Sequence, residues 1–566
     1  MAFIGIDLGT TNSLVCAWKN EHPILIPNAL GETLTPSAIS VGDDNSILIG
    51  QPAKDRLVSH PDRSTAFFKR LMGTDKKVQL AEKTFSPEEL SSIVLSQLKL
   101  DAEAFLNEPV EEAIISVPAY FNDNQRNATL VAAQLAGIKV ERLINEPTAA
   151  AIAYGIHNHE DERRFIVVDL GGGTFDVSIM EKFEDLLEVH ATSGDSFLGG
   201  EDFTQKLCAA ACQKNELEYS TLSSVEQGHI YHCCNALKYQ LSENDTATVN
   251  FNAQGESYEF SLSREEFFHL VEPLLKRILA PLERSIRDSN LAVSDIDDVF
   301  LVGGATRMPA IRQFMTKLFG RFPSCDINPD HAVAHGAAIQ AALKQRNAAL
   351  KDVVLTDVCP FSMGVETAHK NDNGGFIDGL FSVIIERNQT IPCSREERFY
   401  TLQDNQKELQ VNIFQGENRL VKDNIKLGEL LVSVPKKKAG EECMDVRFTY
   451  DINGLLEVLV KIPSTGVEKQ LVIQNSGNRM TDAQIEKALI KLRDIKIHPR
   501  DQAENQALLA RAGRLYEERL GVEREQIANA AGAFEQILAS QDEREIRRAA
   551  KQFDEFLKQF ESDFWG

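Results

Sequence analysis

No stretch of eighteen apolar residues occurs in this chain of 566, and its start has no charged segment followed by an apolar one. The sequence therefore offers no membrane span and no export leader, and a cytoplasmic, bacterial-type location is the expectation. Positive charge is also scarce: 60 Lys and Arg face 84 Asp and Glu, a net −24. That balance argues against a general nucleic-acid binder and against attachment to anionic membrane surfaces. Cysteine is sparse and unpatterned. The nine (Cys16, Cys208, Cys212, Cys233, Cys234, Cys325, Cys359, Cys393 and Cys443) include no C-x-x-C pair, so reduced, mostly buried thiols are expected in place of a disulfide framework. His157 and His159 flank one residue in a polar loop; a solvated loop explains them better than a metal site.

What is present is ordinary in bulk and strongly organised along the chain. Hydrophobic residues make up 43% and charged residues 25%, as in a globular protein, and the length implies three or four domains. Residues 1–348 alternate apolar strands with helical stretches, an α/β pattern. Residues 349–358 include the apolar piece Val353 to Leu355 between Asp352 and Asp357. Linkers are normally polar, so this one is expected to dock somewhere. Residues 359–478 read as β: Val446, Phe448 and Tyr450 share a face ahead of an Asn453-Gly454 turn, and Leu409 to Asn418 alternates likewise. Residues 479–566 read as helical, opening with a Thr481/Gln484 capping box and Ile485, Leu489 and Leu492 at helical spacing, broken at Pro499. The charged segments 502–520, 522–539 and 541–560 then predict a helical bundle.

One pattern occurs twice. "FIGIDLGTTNSLVCAW" (Phe3 to Trp18) and "FIVVDLGGGTFDVSIM" (Phe165 to Met180) both read strand, Asp-Leu-Gly, small polar residues, strand. Glycine lets a ligand approach the main chain closely, and the N–H groups of such a turn form an anion-binding nest. The hydroxyls of Thr10, Thr11, Ser13 and Thr174 add short donors. Asp7 and Asp169 repel phosphate, so they make sense with a hydrated Mg²⁺ between. Two opposed phosphate hairpins, about 160 residues apart, predict two similar lobes clamping one Mg-nucleotide.

Further segments add parts to this site. Glu146 and Pro147 precede an alanine-rich helix; the carboxylate either orients an attacking water or serves the helix dipole. Lys69 in "FFKRLMG" reaches a γ-phosphate or lies on the surface. "VFLVGGATRMPAIRQF" (Val299 to Phe314) reads strand, Gly-Gly turn, helix: Gly303 and Gly304 admit a flat base, and Arg307 can stack on it.

Together with ISVPAYFNDNQR, INEPTAA, GDSFLGGEDF, NPDHAVAHGAA, the DVVLTDV linker and NQTIP, in that family's order over nearly the whole chain, these segments resemble the DnaK-type seventy-kilodalton heat-shock chaperones, most nearly a specialised HscC-like branch. The resemblance implies an actin-like α/β two-lobed ATPase domain, a β-sandwich peptide-binding domain and a short C-terminal α-helical lid. It implies that Asp7 and Asp169 hold Mg²⁺ through water and that Asp176 is a ligand to K⁺. Thr10, Thr11, Asn12, Gly171, Gly172, Gly173 and Thr174 would bind the phosphates of ATP or ADP. Lys69 and Glu146 would be catalytic, with Asp7, Asp169 and Thr174. Lys238, Ser242, Gly303, Gly304, Arg307 and Asp330 would face the adenosine. Pro118, Arg126, Arg142 and Asp357 would relay nucleotide state to a peptide site formed by Val365, Phe399, Leu409, Val411 and Leu455, with an arch from Ala368 and Leu402. Read without the resemblance, those apolar residues are plain core.

The partners implied are extended hydrophobic segments of unfolded proteins and a J-domain co-chaperone acting near Arg142 and the linker, on a monomeric chain. Departures from the family pattern sharpen this. Asn235 stands where the adenosine helix normally has Glu, Tyr239 follows Lys238, and Ala305 follows the Gly-Gly pair. Thr356 replaces a linker leucine, which should weaken docking. The stretch from Ser242 to Ser261 is short, so a GrpE-type exchange factor is not expected, and the tail of about ninety residues is short for a full lid. The competing readings are a small-molecule kinase on the same scaffold, which would need a second substrate pocket, and an actin-like filament protein, which leaves linker and tail without a role.

Overall fold

A computed structural model describes residues 2–43, 46–140, 142–155, 162–183, 186–324, 327–345, 354–370, 376–451, 454–473, 503–519, 521–540 and 543–561. His157, His159, Cys325, Val353, Asn453, the Thr481–Pro499 segment and the last residues lie outside them.

Two sheets carry the two Asp-Gly hairpins, and they are built alike. In the first lobe the hairpin pairs strand Ala2–Asp7 with Asn12–Lys19, and Ala2–Asp7 runs parallel to Val110–Val117. In the second, Arg163–Leu170 pairs with Phe175–Phe183 and runs parallel to Asp298–Val302. The shared order is parallel strand, inner hairpin strand, outer hairpin strand, then a third antiparallel strand: His22–Leu25 in one sheet and Leu186–Asp195 in the other. Buried on both faces, the inner strands need the near-continuous apolar runs their sequences show.

Between the sheets lie two alanine-rich helices, Glu146–Ala153 and Ala332–Lys344. Small side chains are a requirement here. A Cβ on Gly336 would stand 1.7 Å from the Ala149 carbonyl oxygen, and one on Gly5 would stand 2.2 Å from the Ala338 nitrogen. The longer helices are started by capping boxes at Ser86/Glu89, Asn122/Gln125, Ser223/Glu226 and Ser263/Glu266, each satisfying two otherwise unbonded N–H groups.

The linker is a strand. Val354–Val358 extends the second lobe's sheet, parallel to Leu186–Asp195, and pairs on its other edge with Thr390–Ile391 of the β region. Leu355 packs with the core between the lobes. An apolar linker thus finds a sheet edge to complete, which is why it need not be polar. Beyond it, two four-stranded antiparallel sheets pack over one core that includes Val411, Ile413, Val446, Phe448, Val458 and Val460. Three helices, Ala503–Glu518, Gly521–Ser540 and Glu543–Glu561, bury their own cluster, with Phe534 and Phe553 rings 4.8 Å apart. Among the described residues no helix is long and apolar enough to cross a membrane.

Candidate nucleotide cleft and its connection to the β region

The two hairpins face each other in contact. A Cβ on Gly172 would fall 1.8 Å from Thr11 Oγ1, and one on Gly173 would fall 2.5 Å from Thr10 Cγ2. Only glycine fits this approach. The second hairpin's carbonyls are drawn outward: Gly171 and Gly172 oxygens accept the N–H groups of Gly200 and Glu201 (2.9 Å each) at the start of helix Gly200–Lys214, and the Gly173 oxygen accepts from Arg70 Nε at 3.0 Å. A trans peptide sets its N–H opposite its C=O. The N–H groups of Gly172, Gly173 and Thr174 therefore turn away from that helix and from Arg70, as an anion nest requires.

Carboxylates crowd the cleft floor. Asp7 and Asp176 are pushed up to about 7, in each case by burial first and by Glu146 second. Asp169 is raised by burial, then by Glu146, Asp176 and Asp7. Asp7 accepts from Ser116 Oγ at 2.9 Å, and Asp176 accepts from the Tyr120 N–H at 2.8 Å. A buried cation stands among them: Lys69 Nζ donates to Glu146 Oε1 at 2.8 Å, both side chains under a tenth exposed. Lys69 is therefore interior and not a surface lysine. It sits on the 3-10 turn Phe68–Leu71, entered through Phe67 at φ 60°. Glu146 opens its helix with Pro147 in the first turn, which fixes the carboxylate's direction.

The surplus of buried negative charge fits a cation brought by a ligand. Among the described residues no three His, Cys, Asp or Glu side chains converge closely enough to ligate an ion directly.

At the other end, Lys238 Nζ donates to the Gly200 carbonyl (2.9 Å) and Thr204 Oγ1 (2.7 Å), and burial lowers it to about 8. Ser242 Oγ donates back to the Lys238 carbonyl at 3.3 Å. Asn235 Oδ1 accepts from Thr204 Oγ1 at 3.3 Å, so the amide tethers the helix that carries Lys238 to helix Gly200–Lys214. Gly303 has φ 82°, and a Cβ there would meet the Leu170 carbonyl oxygen at 2.4 Å. Arg307 is held by Asp330 (3.0 and 2.7 Å) and by Asn328. That fork fixes the guanidinium plane in advance of any ring it would cover.

Of the four residues expected to relay nucleotide state, Arg126 and Asp357 meet on a fifth, Asn145, that sequence reasoning passed over. Arg126 donates to the carbonyls of Phe121 (3.0 Å) and Ala119 (3.1 Å), gripping the turn that follows Pro118, and to Asn145 Oδ1 at 2.7 Å. Asn145 Nδ2 in turn donates to Asp357 Oδ2 of the linker at 2.5 Å. Arg142 lines a small cavity beneath the linker with Asn145, Thr356 and Asp357. Asn145 precedes Glu146, so one residue joins the linker to the Lys69–Glu146 pair. Its place just before the helix reads as a cap in sequence, but its side chain makes no capping bond.

Other contacts reach the β region directly. Arg387 holds Asp288 bidentately (2.7 and 3.2 Å) and Glu417 at 2.6 Å; Asn388 donates to Asp288 at 3.0 Å and accepts the Thr192 N–H at 2.9 Å. Asp123 accepts from the Tyr450 hydroxyl at 3.2 Å, and its N–H donates to Gln415 Oε1 at 3.1 Å. Tyr120 stacks on Phe361 with ring centroids 4.4 Å apart. Asp288, Arg387, Glu417 and Tyr450 belong to none of the motifs that sequence reasoning used.

In the β region, Val365, Leu409 and Val411 lie within the sandwich core and Phe399 packs against it. Leu455 is buried, Ala368 sits at a bulge and is half-buried, and Leu402 is exposed.

A model of the Hsp70 protein family matches residues 3–80 and 74–563, nearly the whole chain. The chain thus belongs to the Hsp70 family, in which an actin-like ATPase of two lobes is joined to a domain that binds unfolded polypeptide.

Proposed function

We propose that this chain is an ATP-dependent chaperone whose cleft switches the β region between holding and releasing extended hydrophobic peptides. One observation carries the proposal: a continuous set of bonds runs from Lys69 and Glu146 through Asn145 to Asp357 of the docked linker. In this reading the N–H groups of residues 172–174 and the hydroxyls of Thr10, Thr11 and Thr174 hold phosphate oxygens, with Asn12, Gly171 and Gly173 completing the cradle. Lys69 neutralises charge that builds on the transferred phosphoryl group, and Glu146 accepts a hydrogen bond from the attacking water. Asp7 and Asp169 would hold Mg²⁺ brought with the nucleotide, and the ion would supply positive charge against the phosphates. Asp176 is the residue for K⁺. Phosphoryl transfer to water asks little covalent chemistry of the protein, so positioning and charge compensation dominate.

Loss of the γ-phosphate would change what Glu146 and Lys69 face. Asn145, fixed to the next peptide, transmits that change to Asp357 and Arg126, and the linker strand leaves its sheet edge. Val365, Phe399, Leu409, Val411 and Leu455, with Ala368 and Leu402, would then close on a peptide. The reading extends to a J-domain partner near Arg142 and the linker, to exchange without a GrpE-type factor given the short hairpin Thr246–Ser263, to a cytoplasmic monomer, and to an HscC-like place within the family. The test is anisotropy of a labelled hydrophobic peptide bound to the ADP form. Mg-ATP should release it within seconds and Glu146→Ala should block turnover; peptide binding indifferent to ATP would reject coupling.

A further inference from the structure

The turn Phe68–Leu71 carries two cations, and only Lys69 enters the chemistry above. Arg70 points across the cleft. Its Nε donates to the Gly173 carbonyl at 3.0 Å and its Nη2 to Asp202 Oδ2 at 2.5 Å, with the side chain 14% exposed. Lys69 and Glu146 both belong to the first lobe, whereas Gly173 and Asp202 both belong to the second. Asp202 is itself fixed, since the same Oδ2 accepts the Gly199 N–H at 2.8 Å and so caps helix Gly200–Lys214. One guanidinium thus ties the lysine-bearing turn of one lobe to the phosphate hairpin and helix start of the other.

We propose that Arg70 is a positioning residue of the ATPase: a strap across the cleft that orients the second phosphate hairpin and sets how fast nucleotide leaves. The proposal rests on the reading of the cleft as a nucleotide site. Two arguments support it. The bond to the Gly173 oxygen fixes that peptide plane, and so fixes the Thr174 N–H on the opposite side, toward the phosphates. The two hairpins touch at Thr11 and Gly172, so seating phosphates between them parts the lobes, and parting strains both Arg70 bonds at once. The two acceptors are served by two nitrogens of one rigid fork, which a lysine ammonium cannot reproduce. A purely structural role in the first lobe is disfavoured, because both partners lie in the other lobe.

The experiment is stopped-flow release of a fluorescent ADP analogue, with steady-state kcat and KM for ATP, on the full chain and on Arg70→Ala, Arg70→Lys and Asp202→Asn. Two charge-assisted bonds predict release faster by about tenfold or more in Arg70→Ala, with KM raised and kcat changed less. Arg70→Lys should recover part of the loss. Arg70→Ala and Asp202→Asn together should be no worse than Arg70→Ala alone, as for one shared interaction. Release and KM like the unaltered chain, or fully additive losses, would overturn the strap. If Arg70→Ala melts early without nucleotide, Arg70→Lys and Asp202→Asn carry the same test. Failure of the unaltered chain to bind the analogue would instead remove the nucleotide reading beneath it.

Discussion

The cleft and the seam between ATPase and β region are both polar and both buried, yet they are made in opposite ways. In the cleft the backbone does the shaping. Gly172 lies against Thr11, and Gly303 against Leu170, at distances no Cβ could share. Charge there is left unbalanced: Asp7, Asp169 and Asp176 are all pushed up, with Lys69 and Glu146 already spent on each other. In the seam, side chains do the joining, as in Arg387 between Asp288 and Glu417 and Asp123 with Tyr450. A surface whose side chains find their partners across the joint is complete in the docked state. A site whose charge is left unbalanced is waiting for a ligand to complete it. The difference says which part binds and which part responds.

Substitution in the cleft should give the largest effect. Glu146→Gln keeps the shape and removes the charge that faces Lys69. Hydrolysis should fall about 10²–10³-fold, the usual cost of one preorganised polar group, while ATP still binds and the linker still docks. Single-turnover hydrolysis beside nucleotide binding checks this. Next in size is Arg387→Ala, which leaves Asp288 without its bidentate partner. Docking should weaken by about 2 kcal/mol, roughly thirtyfold in the docking equilibrium, with the chemical step changed little. Amide exchange of Leu355 to Val358 in Mg-ATP reports it. If Arg387→Ala slowed hydrolysis as much as Glu146→Gln, the division between a binding cleft and a responding seam would fail.

The same division decides what could be read from sequence. The cleft is local: Asp7 to Ser13, Asp169 to Asp176 and Gly303 with Gly304 each sit on one turn, and turn chemistry is written in consecutive residues. Both hairpins, the helix after Asn145 and the docking of an apolar linker were legible for that reason. The seam joins residues that no window spans, such as Asp288 with Arg387 and Asp123 with Tyr450. Arg70 was missed because "FFKRLMG" offers one lysine as the obvious cation, and only the fold shows that its neighbour crosses to the other lobe. Val365 and Val411 mark a different limit. Period-2 alternation puts a residue inside a sandwich, as both are, but does not tell core from pocket wall.

A smaller effect should come from pH. The Asp123 carboxyl is raised by burial under the β region, against the pull of Arg126 on its own helix and the bonds from Tyr450 and Gln415. Cys359, nearby, is itself held far up and stays neutral. A carboxyl whose docked value lies above its free value binds its proton more tightly when docked. This contribution to docking is complete below the ordinary carboxylate range and is lost as pH rises through the docked value. Docking should therefore weaken from acid toward neutral pH, and Asp123→Asn should flatten that dependence. Linker amide exchange across pH 5 to 8, corrected for intrinsic rates, checks it; a dependence unchanged in Asp123→Asn would place the titrating group elsewhere.

The smallest change tests a misfit under the linker. Thr356 Oγ1 and Gln340 Oε1 are shielded from solvent with no hydrogen-bond partner among the described residues. Both residues line the same cavity of about 10 Å³ under the linker, with Leu355 and Asp357. An unbonded buried hydroxyl costs about 1–3 kcal/mol, and a leucine at that position would bury more apolar surface. Thr356→Leu should thus tighten docking by about 1 kcal/mol, slowing exchange of the linker amides roughly fivefold. Faster exchange would carry a different lesson. It would mean that the threonine is satisfied by a bridging water, for which a space of this size suffices, and that leucine expels it at a net cost. The linker side of the seam would then have its polar groups answered by water, and the contrast with the cleft would be sharper still.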